Sequence, residues 1–235
     1  ISIINETNYP FSEDLIFNIE TGKSDFFPIY FRIPSWCKKS KVFINGKAIK
    51  TQIEAGKFLK IKREWSNGDI VKLILPKDIS VKKWEKNHNS VSVNYGPLTF
   101  SLNIKERYLE KSSDKTAIGD SRWQEDVDRD EWPTYEIYPD SDWNYGLILD
   151  DKLDQNFEVI EREWPKDNFP FTNNSTPILI KAHAKKIPEW KIGKTGLVGE
   201  LMDSPVESNE KVEIIELVPM GGSRLRISSF PLIKN

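Results

Sequence analysis

The densest chemistry in this 235-residue chain is carboxylate. Asp120, Glu125, Asp126, Asp128, Asp130, Glu131, Glu136, Asp140 and Asp142 stand against only Arg122 and Arg129, nine acids against two arginines. Paired carboxylates serve glycosidases as acid and base, or as acid and nucleophile. The spacing Asp126-x-Asp128-x-Asp130 also matches the opening of a calcium loop. An EF-hand would continue with a glycine, and Glu131-Trp132 stand there instead, with no distant glutamate to assign as the bidentate ligand. A run this acidic and polar reads first as a solvated loop, with a cation site second and catalysis third.

Cys37 follows Arg32-Ile33-Pro34-Ser35-Trp36 and precedes Lys38-Lys39, basic neighbours of the kind that lower a thiol pKa. A nucleophilic thiol also needs a base or a metal, and the two histidines, His88 and His183, are distant in sequence. Cys37 is therefore expected to be structural. His183 alternates with Ile180, Ala182 and Ala184 on a strand-like run, and His88 lies in the polar turn Lys86-Asn87-His88-Asn89; both are expected at the surface. Eight tryptophans, Trp36, Trp65, Trp84, Trp123, Trp132, Trp143, Trp164 and Trp190, are read mainly as packing groups, although exposed rings of this kind stack on sugars. No phosphate loop, nucleophile elbow or dinucleotide fingerprint occurs, since Gly221-Gly222 follows a strand pattern without opening a helix. No catalytic, cofactor-binding or metal-binding residue is assigned from the sequence, and the substrate-binding residues are left unknown.

The elements that must carry these groups are short strands. Leu15, Phe17 and Ile19, then Phe27, Ile29, Phe31 and Ile33, alternate with period two, and so do Leu59 and Ile61, and Val71, Leu73 and Leu75. Val42 and Ile44 lead into Asn45-Gly46, the pair that a type I′ hairpin turn favours. Ser66-Asn67-Gly68-Asp69 marks a second turn, and Val91, Val93 and Tyr95 run through Gly96-Pro97 into Leu98, Phe100, Leu102 and Ile104. This density predicts an antiparallel sandwich over the first hundred residues. From about Lys105 the texture becomes polar, with strand-sized pieces only at 135–138, 147–149 and 157–160. Alternation resumes at Ile178 to Ala184, Val212 to Val218, and Leu225 and Ile227, whose neighbours Arg224 and Arg226 point the other way. The best short helix candidate is Asp142 to Leu149.

Composition closes off other classes. Thirty-four basic against 36 acidic residues leave a net charge of −2, no field for nucleic acid or anionic lipid. One cysteine cannot form an internal disulfide, and two histidines leave little for a histidine-based metal centre. The opening Ile1-Ser2-Ile3-Ile4, without initiator methionine or signal features, reads as the start of a piece cut from a longer chain.

Several phrases occur in an order that resembles the C-terminal β-sandwich region of glycoside hydrolase family 127, the β-L-arabinofuranosidases and their relatives. They are Tyr9-Pro10-Phe11, Tyr30-Phe31-Arg32-Ile33-Pro34-Ser35-Trp36, Val42-Phe43-Ile44-Asn45-Gly46, the run Ile61 to Asp69, and Tyr95-Gly96-Pro97-Leu98. Trp132-Pro133 to Tyr138, Trp143-Asn144-Tyr145-Gly146-Leu147, and Leu217 through Arg224-Leu225-Arg226-Ile227 to Phe230-Pro231 continue the match. The resemblance implies an all-β fold of two antiparallel, jelly-roll-like β-sandwich domains, the second inserted into the first. Domain I would hold residues 1–105 plus 220–235 and domain II residues 106–219, which sets Arg224 to Phe230 beside the first domain.

The family resemblance also implies an N-terminal (α/α)6 catalytic barrel with a zinc cluster of glutamate and cysteine, none of which can be placed on this sequence. The expected function is a non-catalytic portion of a bacterial glycosidase that buttresses and rims such a barrel, with no cofactor in this chain. The alternative is a carbohydrate-binding module using exposed aromatics. The implied partners are the protein's own catalytic barrel, then a glycan or a second copy of the chain, with neither nucleic acid nor membrane. A periplasmic or secreted location fits such a parent. Arg32, Arg63, Trp36 and Trp65 are expected to be structural, the tryptophans covering the sandwich core and the arginines pairing with carboxylates such as Asp69.

Overall fold

In the computed structural model, residues 1–111, 131–150, 153–194 and 196–234 are described. The chain is all-β: β1 (Ser2–Glu6), β2 (Asp14–Glu20), β3 (Asp25–Arg32), β4 (Lys41–Ile44), β5 (Lys47–Ala48), β6 (Phe58–Trp65), β7 (Ile70–Ile74), β8 (Ile79–Trp84), β9 (Ser90–Tyr95) and β10 (Leu98–Leu102) come first. They are followed by β11 (Glu106–Lys111), β12 (Thr134–Pro139), β13 (Tyr145–Leu147), a four-residue helix α1 (Leu153–Asn156), β14 (Phe157–Glu161), β15 (Ile178–Lys186) and β16 (Glu213–Pro219). Among the described residues, no helix is long and apolar enough to cross a membrane. Two compact units emerge, Ile1–Lys82 with Ser92–Phe100, and Lys83–Val91 with Ser101–Asn235.

The first unit is built from an antiparallel sheet in the order β1-β2-β7-β4-β5 and a ribbon of β3 with β6. Period-two alternation decides which face each strand buries. On the ribbon, Phe31 and its register partner Leu59 turn inward, while Tyr30 and its partner Lys60 turn out. Between sheet and ribbon lies one core of Ile19, Phe31, Ile33, Cys37, Val42, Leu59, Ile61, Trp65, Val71, Leu73 and Leu75. Phe17 of β2 meets Phe31 of β3 edge-on at 5.1 Å across it. The Asn45-Gly46 turn joins β4 to β5 with φ values of 49° and 76°, the double positive φ that a type I′ turn demands. Gly96, at φ 55°, turns β9 into β10, where Leu98 faces Tyr95 and Thr99 faces Asn94.

The second unit centres on β15, which pairs antiparallel with β13, β14 and β16. Ile178, Leu179 and Ile180 are buried in succession, so this strand is covered on both faces, and His183 near its far end is exposed. A separate hairpin pairs β11 with β12. Phe230 bridges to Val91, and the amide of Leu102 donates to the carbonyl of Ile227 at 2.8 Å. Residues 224–227 keep the expected in-and-out burial without forming a ladder.

The short helix expected at Asp142 to Leu149 is not formed. Tyr145–Leu147 is instead strand β13, with Tyr145, Gly146 and Leu147 all buried. A Cβ at Gly146 would lie 2.6 Å from Cδ1 of Ile233, so an extended backbone is pressed against a neighbouring side chain there. Pairing with Lys186, Lys185 and Ala184 overrides a local pattern that was only weakly helical.

Candidate functional sites

In the first unit, the chain's most recognisable phrase, from Ile61 to Asp69, builds a structural constellation. The Trp65 ring is fully buried, and its Nε1 donates to the carbonyl of Phe27 at 3.0 Å. The Arg63 guanidinium lies 5.0 Å from the Trp65 ring centroid and 3.7 Å from the Asp69 carboxylate. Asp69 receives Nδ2 of Asn45 at 2.7 Å and the amide of Ser66 at 2.9 Å, while Oδ1 of Asn45 accepts the amide of Ile70 at 2.8 Å. One carboxylate thus ties the β4–β5 turn to the turn that follows β6. Burial pushes the Asp69 pKa up, but the Asn45 and Ser66 hydrogen bonds and the Arg63 charge outweigh it and hold the carboxyl below its ordinary value. The pairing of Arg63 with Asp69 expected from the sequence is present. Trp36 is half-buried against the same core, and Arg32 is exposed.

Cys37 is a member of that core, 1 % exposed. Burial raises its thiol pKa; the Lys39 amide acts the other way, and the nearby charges of Glu13 and Asp78 raise it further. The adjacent lysines therefore do not activate it, and the thiol is held in the protonated form, the reverse of a nucleophile's requirement.

In the second unit His88, expected at the surface, is half-buried at φ 54°. Its Nδ1 lies 2.9 Å from Oδ1 of Asp203 and its Nε2 3.5 Å from Glu200, one carboxylate on each side of the ring. The two carboxylates address opposite nitrogens, so the trio does not converge on one point. No group of three or more potential metal ligands occurs among the described residues. Asp126, Asp128 and Asp130, the calcium candidate, lie outside the described residues, as does Trp123.

The tryptophans divide as packing groups and exposed rings. Trp190 is buried, donates to the carbonyl of Gly199 at 3.0 Å and meets Trp143 edge-on at 5.2 Å. Trp164 donates to Asn168 at 2.7 Å. Trp84 and Trp132 present large exposed surfaces.

A cleft that the sequence reading missed lies in the second unit. Three segments, 103–108, 169–174 and 221–226, enclose about 720 Å³. Phe169 and Phe171 stand at its rim, each about half exposed (52 % and 51 %), with ring centroids 5.6 Å apart in an edge-on pair. Glu106 binds the opposite segment: its Oε1 accepts the amides of Arg224 and Leu225 at 2.9 and 3.0 Å, and its Oε2 accepts the Tyr108 hydroxyl at 2.6 Å. Burial raises the Glu106 pKa, but these hydrogen bonds prevail and keep the carboxyl below its ordinary value. The Arg224 guanidinium stacks 5.5 Å from the Tyr108 ring and donates to its hydroxyl at 3.1 Å, and Nε of Arg226 donates to the Ser223 carbonyl at 2.6 Å. Ser223 in turn donates to Oδ1 of Asn173 at 2.8 Å. Gly222 lets two segments approach, because a Cβ there would sit 3.3 Å from the Thr172 carbonyl carbon. Phe169-Pro170-Phe171 and Arg224-x-Arg226 were the available signals, but neither shows in sequence that it faces the other.

Comparison with known proteins places this architecture. Residues 1–77 match the model of the β-L-arabinofuranosidase GH127 middle domain. Among curated proteins none matches the chain. A solved glycoside hydrolase structure is 20% identical, with a TM-score of 0.57 over 99% of this chain and 32% of its own. The structure of Ara127N-Se, a GH127 β-L-arabinofuranosidase from Geobacillus stearothermophilus T6, is 20% identical, with a TM-score of 0.56 over 99% of this chain and 30% of its own. The GH127 β-arabinofuranosidase BT3674 is 17% identical, with a TM-score of 0.56 over 98% of this chain and 31% of its own. The chain thus spans about a third of the length of these relatives, and at such identities the likeness is one of fold. Residues 1–77 thus resemble the GH127 middle domain, and the whole chain shares the fold of about a third of each of these glycoside hydrolase structures.

Proposed function

We propose that this chain is the non-catalytic β-sandwich portion of a bacterial β-L-arabinofuranosidase-like glycoside hydrolase, supporting and rimming a catalytic barrel carried elsewhere in the parent protein. The observation that carries this reading is the family match itself, which falls on the middle domain of that family. The end-to-end coverage of this chain against about a third of each relative agrees with it. Physical chemistry adds to it: the single thiol is buried and held protonated, and the Arg63–Trp65–Asp69 group has its polar atoms engaged in joining turns and strands.

The test is an assay of the purified 235-residue chain on aryl arabinofuranosides, with and without zinc and reductant. The expected result is hydrolysis no faster than in buffer. Turnover that co-purifies with the chain through successive columns would overturn the reading.

A further inference from the structure

We propose that the cleft bounded by Phe169, Phe171, Tyr108, Arg224 and Arg226 is a binding site for an acidic oligosaccharide, one whose sugar rings carry carboxylates. The inference is independent of where the parent protein's catalytic groups lie.

Charge comes first. Lys105, Glu106, Arg224 and Arg226 are the charged residues of the lining. Glu106 is turned toward the protein, with both oxygens taken by Tyr108 and the amides of residues 224 and 225, and its lowered pKa keeps it ionised beside Arg224. Three cations against this one carboxylate leave the lining net positive by two charges. Arg226 is anchored through Nε, which leaves, among the described residues, the two terminal nitrogens of its guanidinium as the fork that pairs with a carboxylate. Arg224 is braced by stacking on Tyr108, so its position is fixed in advance and less side-chain entropy is lost on binding.

Shape and apolar surface come next. The volume lies within the range of small-molecule sites. Phe169 and Phe171 expose half of their surface in a pair whose edge-on geometry holds the rings in place. A bare inorganic anion would use the cations and leave those rings wet. A neutral sugar would cover the rings and leave the guanidinium fork unused. A uronic acid unit satisfies both, its C–H face against a phenyl ring and its carboxylate on Arg226.

The experiment titrates the full chain with trigalacturonate by calorimetry, with fully methyl-esterified trigalacturonate as the uncharged counterpart of the same skeleton. The site predicts saturable binding of the acid, at least tenfold weaker binding of the ester, and weakening as salt rises from 50 to 500 mM. Arg226→Gln and Phe169→Ala should each reduce affinity at least fivefold. Because Arg226 also holds the Ser223 carbonyl, its variant is judged only if its melting temperature matches the parent chain; Phe169→Ala, at an exposed ring, carries the test otherwise. No binding at 10 mM trigalacturonate, equal affinity for acid and ester, or unchanged affinity in folded variants would overturn the proposal. Any of these results leaves the arabinofuranosidase-like reading standing, and aryl-arabinofuranoside turnover would leave this one standing.

Discussion

Replacing Trp65 by alanine tests the first unit's construction at its most loaded point. The ring is fully buried among Ile19, Phe31, Val71 and the other core residues, lies 6.3 Å from Phe27 and donates one hydrogen bond to that residue's carbonyl. Truncating a buried tryptophan costs about 3–5 kcal/mol through lost transfer energy and the cavity left behind. The orphaned Phe27 carbonyl contributes about 1 kcal/mol of that loss if water does not reach it. Trp65→Phe separates the two effects: it retains most of the apolar volume, lacks the donor, and should cost about 1–2 kcal/mol. Against a typical domain stability of about 5–15 kcal/mol, the alanine variant removes a large share. With two compact units in the chain, a whole-molecule melt mixes transitions. Cys37 supplies a local reporter, because the chain's one cysteine sits in the same core as Trp65. Pulse labelling of that thiol across a urea series follows the opening of this core. With a urea slope of about 1–3 kcal/mol per molar, the midpoint for Trp65→Ala should fall by roughly 2 M. A loss below about 1 kcal/mol, or equal losses for phenylalanine and alanine, would refute the packing argument.

Asp69→Asn should destabilise the same unit by about 1–3 kcal/mol at pH 7, since it replaces a carboxylate oxygen that accepts from Asn45 or Ser66 by an amide. The folded-state pKa of Asp69 lies below its unfolded value, so its stabilisation is full above the unfolded pKa of about 3.9 and is lost as pH falls through the folded one. The gap between parent and variant should therefore shrink below about pH 4; a gap in urea midpoint, read by near-UV circular dichroism, that stays constant from pH 7 to pH 2.5 would contradict this. The native Cys37 thiol should resist a disulfide reagent at pH 7 for hours and react within seconds in concentrated urea, and native labelling at the rate of a free cysteine would show that it is not enclosed.

Interactions between sequence neighbours were the legible ones. The Asn45-Gly46 turn, the Gly96-Pro97 turn and the inward set from Phe27 to Ile33 follow from positive-φ tolerance and from alternation, which are properties of a few consecutive residues. The exposure of His183 was readable from its place opposite Ile180, Ala182 and Ala184. His88 was harder, because Asp203 and Glu200 reach it from more than a hundred positions away.

What the sequence determined by itself is therefore the all-β class, the strand faces, the tight turns and, through an ordered set of phrases, the family that the chain resembles. Tertiary structure alone decided that Tyr145–Leu147 is a strand, since its partners on β15 lie some forty residues away. It alone assembled the cleft, where Glu106 meets the amides of Arg224 and Leu225 across more than a hundred residues and Phe169 and Phe171 reach the rim. Periodicity and turn chemistry act over two to four residues and leave a trace in any window of sequence. A binding site closes when distant segments meet, and that meeting is set by the packing of the whole unit.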